Sequence, residues 1–82
     1  MTIVIPEDLD AVMRAESKHT PILAYFVFGH LPPFLQAPSR WFAETAFKIV
    51  EAVPPSAERT TGLRKLLEAK DCVVRANLPN QP

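Results

Sequence analysis

The chain is poor in cysteine and glycine, with one and two, and carries no net charge: nine lysines and arginines balance nine aspartates and glutamates. A single cysteine excludes an internal disulfide framework and a cysteine-based zinc finger. Two isolated glycines leave no glycine-rich loop to cradle a phosphate. Zero net charge argues against a general nucleic-acid binder, which carries a basic surplus. The one apolar run, Ile22 to Phe28, is too short to span a bilayer, so no membrane partner is expected. The opening MTIVIPEDLD is acidic where a secretory leader would be basic. These absences lead us to expect a soluble, cytoplasmic protein.

What is present is 48% apolar residues and nine prolines in 82 residues. That length holds one core and one domain. The expected division is an arm, short helix and aromatic segment over 1–33, a helical hairpin over 34–77 and a tail over 78–82. Thr2 to Ile5 is β-branched and reads as a strand or an extended arm. Pro6 suits a first helical position, and Leu9, Val12 and Met13 share a face. These features predict a short helix from about Pro6 to Ser17. The run Ile22–Phe28 shows no period and fits a buried strand or a short helix started by Thr20-Pro21. Phe42, Ala46, Ile49, Val50 and Val53 form one helical stripe. Pro38 requires that helix to start near Ser39 or to kink there. Pro54-Pro55 stops it, and Ser56 reads as the N-cap of a last helix to about Ala76. Leu63, Leu66, Leu67, Val73 and Val74 form that helix's stripe. So short a linker makes the two helices an antiparallel hairpin of about 39–53 and 57–76. The predicted fold class is therefore all-α, a hairpin plus a short N-terminal helix.

Charge is uneven. The segment from Arg59 to Arg75 holds five bases and two acids. This terminal helix is the electropositive element, either a solvated face or an anion site. Lys70 falls on its apolar stripe, where it either snorkels or points into a junction or pocket. No metal-ligating set is visible: His19 and His30 are eleven apart and Cys72 is remote from both. His30 reads as a turn or packing residue, and Cys72 as a small buried hydrophobe. Without a catalytic constellation or cofactor motif, the expectation is a binding or assembly protein, not an enzyme, with no cofactor.

Two stretches carry a resemblance. One is F-G-H-L-P-P-F-L-Q at Phe28–Gln36; the other is P-P-S-A-E-R-T-T-G-L-R-K-L-L-E-A at Pro54–Ala69. Together the chain from Phe26 to Ala76 resembles the phage anti-CBASS and anti-Thoeris cyclic-nucleotide sponges. His30, Pro32 and Gln36 match the first motif; Ser56, Glu58, Arg59, Leu63, Leu66, Glu68 and Ala69 are among the matches to the second. The chain departs from the pattern at Gly29 (tyrosine in the family), at Ala57 (arginine) and at Asp71–Val74. The resemblance implies a small all-α homo-oligomer, often a hexamer, that sequesters cyclic oligonucleotide or cyclic ADP-ribose-type immune signals without cleaving them. Aromatics near the His-x-Pro segment stack on bases there, and basic and hydroxyl residues hold phosphates.

On that basis the candidate ligand-binding residues are Phe26, Phe28, His30, Arg59, Thr60, Arg64 and Lys65. Arg59 also has an independent argument, since it starts a helix whose free N–H groups favour anions. Self-association has one too: a hairpin and one short helix cannot cover Tyr25, Phe26, Phe28, Phe34, Trp41 and Phe42 by themselves. The alternative is a small helical oligomeric interaction or structural protein with no small ligand. Its mark is Arg59, Arg64 and Lys65 all paired with Glu58, Glu68 or Glu44.

Overall fold

A computed structural model describes residues 2–79. Helix α1 spans Leu9–Glu16, a 3-10 helix Pro21–Phe26, α2 Pro33–Ala52 and α3 Ala57–Ala76. Among the described residues there is no strand, so the all-α expectation holds. Thr2 to Ile5 forms neither helix nor strand. The tail is non-helical at Leu78 and Pro79, and its last three positions lie outside the described residues.

Helix α1 starts at Leu9, three residues later than Pro6 suggests. The Asp8 carboxylate accepts from the Ala11 backbone N–H at 3.1 Å and makes Asp8 the N-cap. The helix buries Leu9 and Met13 against the rest of the core.

The apolar run resolves into the 3-10 helix. Pro21 opens it and Val27 leaves it extended. A 3-10 helix repeats every three residues, so Leu23 and Phe26 are buried together while Ala24 and Tyr25 face solvent.

Helix α2 begins at Pro33, not at Ser39, and runs through Pro38 as one α-helix. Pro33 supplies the pre-set first position, and the Gln36 side-chain amide donates back to the Leu31 carbonyl at 2.8 Å. Pro38, the sixth residue of α2, removes the ladder bond to the Phe34 carbonyl and its ring crowds that carbonyl, yet the helix continues through it. The buried side runs through Leu35, Ser39, Ala43, Ala46 and Phe47. Phe42, Ile49 and Val50 pack at its margin, whereas Val53 lies outside the core. The Ser39 hydroxyl is buried without a hydrogen-bond partner.

Residues 53–56 connect α2 to α3, and α3 packs back along α2 as the hairpin. The Ser56 hydroxyl accepts from the Arg59 N–H at 3.0 Å, so the cap is the one its sequence indicates. Leu63 is buried, and Leu66 and Leu67 pack partly against the core. Cys72, expected inside, is exposed on the outer side of α3; the Arg75 guanidinium donates to its sulfur at 3.5 Å. Lys70 keeps its stripe position and is almost fully buried. Its ammonium donates to the Tyr25 carbonyl at the end of the 3-10 helix and lies 5.9 Å from the centre of the Phe26 ring. Desolvation by burial lowers its pKa from the ordinary 10.5, against the opposing charge of Asp71. Lys70 thus pins α3 to the 3-10 helix.

Candidate functional site

The 3-10 segment meets the helices at two junctions, one saturated and one open. At the saturated junction the Asp10 carboxylate collects three donors. Its Oδ1 accepts from the Phe28 and Gly29 N–H groups at 2.7 and 2.9 Å, and its Oδ2 from Arg14 Nε at 2.8 Å. Burial pushes the Asp10 pKa up, but the Arg14 hydrogen bond, the two backbone donors and the Arg14 charge outweigh it, and the net shift is downward. Gly29 is required by close approach: a Cβ there would lie 2.8 Å from Asp10 Oδ2.

The open junction is a cleft of about 420 Å³, within the range of small-ligand sites. His19, Thr20, Pro21 and Ile22 form one wall, and Pro55, Arg59, Thr60 and Leu63 the other. The first wall is the turn that starts the 3-10 helix. The second is the capped first turns of α3, at the positive end of its dipole. Thr60 Oγ donates to the Ser56 carbonyl at 3.1 Å. Arg59 Nη1 donates to the Val53 carbonyl at 2.7 Å, so its guanidinium is held against the hairpin turn with further N–H groups to offer. The floor, Ile22 and Leu63, is apolar. A guanidinium, an imidazole and two hydroxyls over an apolar floor suit an anionic group attached to an apolar or planar body.

Arg59 and Thr60 are thus brought together on the cleft. Arg64 and Lys65 are exposed farther along α3 and do not line it. His30 is exposed in the turn before α2, also outside the lining; the histidine of the cleft is His19. Phe26 and Phe28 are 0% and 7% exposed and belong to the core, so neither offers a ring face to a base in this protomer. The 3-10 repeat turns Phe26 inward, and Asp10 draws in the backbone at Phe28. The Arg40 guanidinium, 5.7 Å from its ring centre, stacks on Phe28. The wall His19–Ile22 was not among the sequence candidates; only the Thr20-Pro21 helix start marked it.

Among the described residues no group of three His, Cys, Asp or Glu side chains could hold a metal. No described helix is long and apolar enough to cross a membrane. Comparisons with protein-family models, curated proteins and solved structures gave no match to the chain. The segment Pro54–Ala69 supplies one wall of the cleft.

Proposed function

We propose that the chain is a non-catalytic binding protein that sequesters a phosphorylated small ligand of the cyclic-nucleotide class in the cleft between the 3-10 helix and α3. One observation carries this reading: Arg59, Thr60 and His19 converge on a single cleft at the positive end of a capped helix. Arg59 grips phosphate oxygens with its free N–H groups, Thr60 and Thr20 border the anion, and the base rests on Ile22 and Leu63. The apolar floor takes the place of the stacking that Phe26 and Phe28 do not offer. In the setting that the resemblance implies, the ligand is an immune signal in the host cytoplasm, and its capture counters antiviral defence.

The ligand-free alternative requires Arg59, Arg64 and Lys65 to be paired with acids. The ion pairs among the described residues are Arg14–Asp10 and Arg40–Glu44, and the second occupies Glu44. Arg59, the one of the three that lines the cleft, has no acidic partner among the described residues, which favours the ligand reading.

A thermal-shift and calorimetry screen against cyclic di- and trinucleotides and cyclic ADP-ribose isomers tests the proposal. A ligand at about a hundred times its dissociation constant adds about 2.7 kcal/mol of stability. Arg59→Ala is expected to weaken it by roughly tenfold or more, the worth of a charge-assisted bond, and the ligand is expected back intact. No ligand in the panel, or unchanged affinity in Arg59→Ala, overturns the assignment.

A further inference from the structure

The cleft is small and its functional groups are few. At about 420 Å³ it lies near the lower end of the ~300–1,000 Å³ typical of small-ligand sites. The Arg59 guanidinium is the only permanent charge on its lining, and Ile22 and Leu63 form its one apolar floor. We propose that the cleft is a single-nucleotide site. It takes one phosphodiester and one base, so a cyclic mononucleotide fills it as fully as a cyclic di- or trinucleotide does. This deepens the binding reading above and rests on it.

The donors set the number of phosphates. Arg59 Nη1 is engaged by the Val53 carbonyl. Its Nε and Nη2 make no hydrogen bond among the described residues, and they share one edge of the planar guanidinium. That edge matches two oxygens of one phosphate, and the guanidinium balances the single negative charge of a phosphodiester. A second phosphate would find no further guanidinium or ammonium, since Arg64 and Lys65 do not line the cleft. The two hydroxyls differ in what they offer. Thr20 makes no capping bond with its side chain, so its proton is free for a phosphate oxygen. Thr60 Oγ donates its proton to the Ser56 carbonyl, which leaves it lone pairs that suit a ribose hydroxyl.

The floor and the volume set the number of bases. Ile22 and Leu63 come from opposite walls and together present one apolar surface. Apolar contact is non-directional, so this floor selects for a base without selecting among bases. Two nucleotides joined in a ring need twice the space of one. The remaining units of a larger ring therefore lie outside the cleft, in water, where they add no contact and no affinity.

Calorimetry on the full chain with cyclic AMP, cyclic GMP, cyclic di-AMP and cyclic di-GMP tests this. Each mononucleotide is expected to bind one per chain, with an affinity within about threefold of its dinucleotide. Adenosine, which keeps base and ribose but lacks the phosphate, binds at least about tenfold more weakly than cyclic AMP. Arg59→Ala weakens all four nucleotides by the same factor, roughly tenfold or more. Thr20→Val weakens all four by about threefold to tenfold, and Arg64→Ala changes none. A dinucleotide more than about tenfold tighter than its mononucleotide overturns the inference and leaves the binding reading intact, because the second unit then has contacts of its own. If none of the four binds, the inference falls. The binding reading falls with it only if cyclic trinucleotides and cyclic ADP-ribose isomers fail as well.

Discussion

The two ends of the 3-10 segment use polar groups in opposite ways. At Phe28–Gly29 one carboxylate receives three donors, all from its own chain. At His19–Ile22 a guanidinium, an imidazole and two hydroxyls face a cleft to which no carboxylate contributes. A charge saturated by internal partners is a structural fastener. A guanidinium that an internal carbonyl engages through one nitrogen, as Val53 engages Arg59, keeps further N–H groups open to a ligand. The distinction separates stability from binding, so substitutions at the two ends should separate them too.

Asp10→Ala carries the largest expected effect. It removes one charge-assisted bond to Arg14 and strands the Phe28 and Gly29 N–H groups, the first of them partly buried. The expected loss is about 2–3 kcal/mol, or a fall of roughly 10–20 °C in Tm for a domain of this size. Ligand affinity at the cleft, measured well below that Tm, should not change. Arg59→Ala is the converse. It costs the fold about 1 kcal/mol through the lost Val53 carbonyl bond and takes most of the binding. If Asp10→Ala abolishes binding at a temperature where it is folded, the two ends are coupled and the contrast fails.

Raising the pH should strengthen both fasteners, each in its own window. The Asp10 pKa is lower in the folded chain than its ordinary 3.8. Its stabilisation is present above that value and is lost as pH falls through 3.8 towards the folded-state pKa. The Lys70 pKa is also lowered, from 10.5, so here too the unfolded chain binds the proton more tightly. Its contribution therefore grows as pH rises from the lowered value to 10.5. Denaturant midpoints taken across pH should lose the acid limb in Asp10→Ala and the alkaline rise in Lys70→Met. An acid limb unchanged in Asp10→Ala refutes the fastener assignment.

Much of this architecture is written locally. Pro54-Pro55 and the Ser56 cap mark the hairpin turn, and the stripe through Leu63 and Leu66 marks the inner face of α3. The first turn of α2 is less legible because Pro38 signals a break, while the helix in fact starts at Pro33 and runs through it. In α1 two starts compete, and the Asp8 side-chain bond to Ala11 decides between them. The aromatic run hides its period because a 3-10 repeat buries Leu23 and Phe26 and leaves Tyr25 outside. For the cleft, one wall is a local motif and could be read. The other lies some 40 residues earlier in the chain and arrives only through packing. The burial of Phe28 is hidden for the same reason: nothing local shows that Asp10 reaches across to hold Phe28 and Gly29.

The smallest expected effect is at Gly62, and the two glycines sit in opposite environments. Gly29 lies against the fastener, and a Cβ there would come within 2.8 Å of Asp10 Oδ2 and 3.1 Å of its Cγ. The carboxylate cannot retreat without losing the bonds to Phe28 and Gly29, so Gly29→Ala is expected to cost about 1–2 kcal/mol. Gly62 lies within α3, and a Cβ there would meet nothing within 4 Å. A glycine inside a helix costs about 0.5–1 kcal/mol relative to alanine through its backbone entropy, so Gly62→Ala should stabilise the protein by that amount. It should raise Tm by a few degrees, and ligand affinity should hold, because Gly62 does not line the cleft. Thermal melts of the two variants beside the parent decide the matter. A Gly29→Ala protein as stable as the parent means that the Asp10 carboxylate can move aside at no cost and that the saturated junction is not rigid. A Gly62→Ala protein less stable than the parent means that α3 has a partner over that position, and the exposed side of the helix would have to be drawn again.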